Sequence, residues 1–173
     1  LNDHSLQNEH VKVVNQDAFE FLEQSDDWYD AIFVDLPDPN NESLNKLYTK
    51  EFYSLVRNHL QPGGAIMVQA TSPVFAREVY WTISNTIAST GLEVENFHVD
   101  VPSFGNWGFV MASREQINVD SLTIDVETDF ITDEMLQTFT IFGKDEDENI
   151  LEKNGEQKEL EVNTLINPRL IEI

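Results

Sequence analysis

The chain has 173 residues, 40% of them hydrophobic, enough for one domain with a real core and too apolar for a disordered segment. Its 32 acidic residues against 10 basic ones give a formal net charge of -22, which repels phosphate backbones and argues against nucleic-acid binding while attracting polycations. With no cysteine there is no disulfide framework or thiolate metal site, and no run reaches the ~18–20 apolar residues that cross a bilayer.

The chain opens on Leu1, shows no signal peptide and runs almost at once into a strand, so it reads as a piece of something longer. Val11–Val14 is a β-branched run and the first expected strand. Ala18–Gln24 has the spacing of a short amphipathic helix, with Phe19 and Leu22 three apart. Ala31–Asp35 is the second strand. Glu42–Leu60 carries apolar residues at helical intervals until Gln61-Pro62-Gly63-Gly64 stops it. Ala65–Ala70 is the third strand. Thr71-Ser72-Pro73 opens another helix, with Ser72 as cap, running to about Ser89 and ending at Gly91. Leu92–Val101 and Trp107–Ser113 are strands joined by a short Gly/Pro loop, which makes them an antiparallel pair.

Strand-helix alternation over the first ~90 residues predicts an α/β fold with a mostly parallel sheet and an antiparallel pair at its end. The pattern changes near Arg114. Thr132–Phe139 reads as a helix capped by Thr132, Lys144–Glu159 as an exposed, mobile acidic loop, and Leu160–Ile173 as an apolar tail that docks on the rest. This divides the chain into a core, 1–113, and an extension, 114–173, packed on or beside it.

The loop Asp35-Leu36-Pro37-Asp38-Pro39 is the most informative stretch. Its prolines stiffen the backbone and hold two carboxylates three residues apart, just past a buried strand. In open α/β sheets that edge binds ligands, and two anionic groups there suit a cationic substrate. Asp17 and Gln69 fall at the ends of the neighbouring expected strands. Polar residues also end strands for turn chemistry alone, so it is their coincidence at one edge that points to a site. His4, His10, His59 and His98 lack metal-ligand spacing, Asp145–Asn149 lacks the glycine of an EF-hand loop, and Ser72 lies in no nucleophile elbow.

These residues carry a resemblance. Asp35–Pro39, then Leu47-Tyr48-Thr49-Lys50-Glu51-Phe52-Tyr53, then Leu60-Gln61-Pro62-Gly63-Gly64, is similar to the spermidine synthase family, aminopropyltransferases with a Rossmann-like methyltransferase core. Asp17-Ala18, Gln69–Pro73 and Val101-Pro102-Ser103-Phe104 before Trp107-Gly108-Phe109 agree in order and spacing, so the likeness runs from about Val11 to Ser113. The tail Asn163–Pro168 resembles a bacterial subgroup whose catalytic domain follows a membrane-spanning region, which implies a cytoplasmic domain of an anchored parent.

The resemblance implies transfer of an aminopropyl group from decarboxylated S-adenosylmethionine, a co-substrate rather than a bound cofactor, to a small amine such as putrescine, with no metal. It assigns proton abstraction to Asp35, amine binding to Asp38, Gln69 and Phe104, and adenosine binding to Asp17, Ala18 and Leu47. It also admits a homodimer. The family's glycine-rich turn after its first strand and the acid after its second have no counterpart, since no glycine precedes Gly63. The expectation is therefore an incomplete sheet lacking its first two strands, and a fragment with little turnover of its own. Phe104 stands where soluble members tend to carry a substrate-contacting tyrosine. Two rival functions remain at this point: an S-adenosylmethionine-dependent methyltransferase on the same fold, or a non-catalytic acidic binding or assembly domain.

Overall fold

The structure, a computed structural model, describes residues 4–39 and 41–170. Four strands, β1 (Tyr29–Val34), β2 (Leu60–Gln69), β3 (Glu93–Val101) and β4 (Gly105–Ser113), form one sheet in the order β1-β2-β4-β3. Helices α1 (Ala18–Gln24), α2 (Glu42–Asn45), α3 (Lys50–Asn58), α4 (Arg77–Ala88) and α5 (Asp133–Thr138) complete it. β1 and β2 are parallel, while β4 is antiparallel to both β2 and β3. The fold is α/β with the antiparallel pair the sequence predicts, but the sheet is mixed, with one parallel ladder.

The reason lies in Val11–Val14, which forms no strand and stays exposed. A lone strand gains nothing in water: its backbone groups need a neighbour, and among the described residues this stretch pairs with neither edge of the sheet, β1 or β3.

Alternation along the strands sorts side chains onto two faces. Ile66, Val68, Val110 and Ala112 are buried and join Tyr53 and Val56 of α3 and Tyr80, Ile83 and Ile87 of α4 in one apolar core. The opposite set, Phe33, Met67 and Phe109, lines an open cavity, and Phe33 is 78% exposed. The helices thus cover one face of the sheet.

The single helix expected over 42–60 is broken into α2, a 3₁₀ turn at Lys46–Tyr48, and α3. Thr49 makes the break. Its hydroxyl donates to the Lys46 carbonyl at 2.8 Å and accepts from the Phe52 N–H at 3.3 Å, capping α3 with extended backbone. β2 starts earlier than expected, at Leu60, because Gln61–Gly64 is absorbed as an irregularity between the Tyr29–Leu60 and Ala31–Ala65 pairs. Gly64 is required there, since a Cβ would lie 2.8 Å from the Asp30 carbonyl. α4 begins at Arg77 rather than beside Pro73. Ser72 instead caps a preceding turn, accepting from Val74 and Phe75 N–H groups at 3.3 Å.

The extension contacts the core through specific bonds. Arg77 Nη2 meets Asp147 Oδ1 at 2.7 Å, Trp81 Nε1 donates to the Glu146 carbonyl at 2.8 Å, and Lys158 pairs with Glu78. Asn163, fully buried, donates from Nδ2 to the Tyr48 carbonyl at 3.0 Å. The acidic stretch is thus pinned to α4. Of the tail expected to dock, Leu170 is buried and 171–173 lie outside the described residues. No helix among the described residues is long and apolar enough to cross a membrane.

Where β2 leaves the sheet, Thr71 adopts φ 63°, a left-handed backbone that β-branched residues avoid. Its carbonyl accepts the Gly108 N–H at 2.6 Å. A Cβ on Gly108 would lie 2.5 Å from Tyr80 Cδ2 and 2.9 Å from the Thr71 carbonyl. Gly108→Ala is therefore expected to destabilise the fold by about 1–3 kcal/mol, read as a lower urea midpoint; an unchanged midpoint would refute this packing account.

Candidate active site

Parallel register sets the site. Val34 pairs with Val68, so the next residues, Asp35 and Gln69, leave adjacent strands side by side. The two acids of the loop are exposed, while Leu36 between them is half-buried and Pro39 is buried. Asp35, Asp38, Gln69 and Phe104 all line one open cavity of about 800 Å³, together with Phe33, Met67, Val101, Trp107 and Phe109. Phe104 and Trp107 meet edge to face, ring centres 5.8 Å apart at 71°. The result is an aromatic trough with carboxylates at its rim. Neither Asp35 nor Asp38 takes a hydrogen bond or ion pair from the described residues.

The backbone of the loop, by contrast, is held. Tyr48 Oη donates to the carbonyls of Leu36 and Pro37, both at 3.1 Å. Gln69, with its amide oriented to satisfy both ends, donates from Nε2 to the Leu36 carbonyl at 2.9 Å and accepts from Trp107 Nε1 at 2.6 Å. A second lone pair on Gln69 Oε1 remains for a ligand. Burial, then the charges of Asp38 and Asp35, push the Tyr48 phenol far above its ordinary value, so it stays a proton donor.

Asp17, Ala18 and Leu47 form a separate group. Asp17 is the N-cap of α1: Oδ1 accepts from the Phe19 and Glu20 N–H groups at 3.0 and 3.2 Å. Oδ2 meets Lys46 Nζ at 2.6 Å, next to Leu47 in the chain. The Lys46 hydrogen bond, followed by the Glu20 N–H, holds the Asp17 carboxyl below its ordinary value. Leu47 packs half-buried on the core, and neither it nor Asp17 lines the large cavity. Ala18 borders a second cavity of about 400 Å³, which shares Phe33, Val34, Asp35 and Leu36 with the first. Asp35 therefore stands on a wall common to two cavities.

Reasoning from sequence passes over Tyr48, Lys46 and Trp107. Thr49, a cap-type residue inside a helical run, is the one available sign that the chain breaks there and turns Tyr48 toward the loop. His59 is buried between the Asp27 and Leu22 carbonyls, 2.7 and 2.8 Å from its ring nitrogens, a structural tie between α1 and β2. No cluster of three or more His, Asp or Glu among the described residues could hold a metal ion.

Comparison with known proteins gives a consistent result. Residues 2–123 match the spermine/spermidine synthase domain. The chain is 66% identical over 173 residues to a polyamine aminopropyltransferase of Oceanobacillus iheyensis, covering 100% of this chain and 33% of that protein. It is 52% identical over 112 residues to polyamine aminopropyltransferase 1 of Streptomyces coelicolor, covering 65% of this chain and 21% of that one. The chain thus spans a third or less of these relatives. Among solved structures, a spermidine synthase in complex with the transition state analogue AdoDATO superposes with a TM-score of 0.71 at 15% identity, over 80% of this chain and 50% of that one. Spermidine synthase from Thermotoga maritima superposes with a TM-score of 0.67 at 15% identity, over 82% and 52%. At that identity the likeness is one of fold.

Because its carboxyl is held low by folded-state partners, Asp17 contributes stability that is present above the ordinary aspartate value and fades as pH falls through its lowered one. Lys46→Ala should raise the Asp17 titration midpoint toward the ordinary value, read by carboxyl ¹³C NMR. An unmoved midpoint would show that the capping bonds alone depress it.

Proposed function

The chain belongs to the spermine/spermidine synthase domain family, and we propose that in its full-length parent it transfers an aminopropyl group from decarboxylated S-adenosylmethionine to a small primary amine such as putrescine. The observation that carries this reading is the pair of carboxylates, unpartnered among the described residues, at the rim of an aromatic trough.

The chemistry asks for such a pair. A diamine near neutral pH is doubly protonated, and an ammonium nitrogen has no lone pair with which to attack. Asp35 takes one proton. The freed lone pair bonds to the methylene carbon beside the sulfonium, the carbon–sulfur bond breaks, and its electrons neutralise sulfur in the leaving methylthioadenosine. Asp38 and the open lone pair of Gln69 hold the amine in line, while its methylenes lie along Phe104 and Trp107, whose ring faces also favour a cation. Alignment of this kind is worth more than the base alone.

Asp17, Ala18 and Leu47 hold the adenosine end, and the wall shared by the two cavities is where the reactants meet at Asp35. A methyl acceptor has no comparable need for two clustered acids, which places the methyltransferase reading second. In this reading residues 1–113 are the catalytic core and 114–173 an extension of it. Turnover belongs to the parent, a bacterial enzyme anchored in the membrane with this domain on the cytoplasmic side.

Asp35→Asn in the full-length parent should cut kcat by about 10²–10⁴ with an unchanged circular dichroism spectrum; a fully active variant removes Asp35 from the proton transfer. Asp38→Ala should raise the apparent KM for the amine more than it lowers kcat. An unaltered KM would take Asp38 out of amine binding.

A further inference from the structure

The geometry points to Tyr48 as the positioning residue of the acid loop: its single hydroxyl proton, shared between the Leu36 and Pro37 carbonyls, fixes the direction in which Asp35 and Asp38 face the cavity. The assignment rests on the aminopropyl-transfer reading above.

The loop cannot hold itself. Pro37 and Pro39 have no N–H to donate, and the segment leaves β1 where ladder bonding ends. Its shape is imposed from outside, through its carbonyls. The Leu36 carbonyl accepts from both Tyr48 Oη and Gln69 Nε2, and the Pro37 carbonyl accepts from Tyr48 again. Tyr48 is well placed to impose it. It is 1% exposed, on a 3₁₀ turn whose rotation is set by the Thr49 cap, and its own carbonyl is held by Asn163. Both ends of the residue are therefore fixed.

What the hydroxyl does not touch matters equally. It grips main-chain oxygens and leaves the carboxylates unbonded. A phenol donating to a carboxylate would occupy the oxygen that a ligand needs; a phenol donating to the carbonyls orients the loop and leaves the Asp35 and Asp38 oxygens to the ligand. The titratable groups around it are Asp35 and Asp38 on the loop and Tyr53 on α3, and burial, then the charges of Asp38 and Asp35, keep its proton in place.

Tyr53 supplies the control. It is as buried as Tyr48, one turn further along, and its hydroxyl has no hydrogen-bond partner among the described residues. Tyr48→Phe and Tyr53→Phe would be made in the full-length parent, with steady-state rates for putrescine and decarboxylated S-adenosylmethionine and thermal midpoints recorded for each. Tyr48→Phe is expected to lower kcat by about 10–100-fold, since small misplacements of reacting groups cost that much, with the KM for the sulfonium substrate unmoved. Tyr53→Phe should match wild type. Normal turnover in Tyr48→Phe, or an equal loss in Tyr53→Phe, would each overturn the Tyr48 assignment while leaving the reaction standing. A wild-type parent that transfers no aminopropyl group would overturn the reaction, and the assignment with it.

Discussion

Everything at the functional edge depends on one ladder, the parallel pairing of β1 with β2. That register sets Val34 against Val68 and so delivers Asp35 and Gln69 to neighbouring positions as both strands end. Antiparallel pairing would have sent them to opposite edges of the sheet. The ladder is secured from the helical side by Ile66 and Val68, which sit in the same core as Tyr53 and Val56 of α3. The core fixes the edge, and the edge fixes the acids.

The loop beyond that edge shows a division of labour between backbone and side chain. Prolines restrict its torsions and remove its donors, so its carbonyls are free to be gripped from below. Tyr48 and Gln69 use them, and Trp107 ties Gln69 to β4. The carboxylates themselves have no partner among the described residues, in a chain carrying 32 acids against 10 bases. Lys46, the cation nearest this region in the chain, is engaged by Asp17. The surplus of negative charge makes such a pair easy to leave open, because few cations are at hand to neutralise it.

Much of this was legible in the sequence where local chemistry and tertiary structure agree. α1 has the expected limits. Thr132 caps α5 as read, and the β3–β4 pair follows from its short Gly/Pro loop. Asp35, Asp38, Gln69 and Phe104 meet at one cavity because strand-end positions in a sheet are set by spacing. Three things were not legible. Val11–Val14 has every local mark of a strand but no neighbour to pair with, and pairing is not a local property. The helical run over 42–60 conceals a break, because Thr49 chooses capping over continuation only once the buried turn around Tyr48 exists. The partners of Asp17 and Gln69, Lys46 and Trp107, lie 29 and 38 residues away and leave no trace in local pattern.

The account's central claim is that a stiffened, clamped turn presents two bare carboxylates to a cationic nitrogen. A crystal structure of the full-length parent with bound putrescine tests it most directly. The claim predicts one ammonium nitrogen within about 3 Å of carboxylate oxygens from both Asp35 and Asp38, with the methylene chain along Phe104 and Trp107. A diamine bound elsewhere, or those two carboxylates closed off by cationic side chains of the parent, would contradict it.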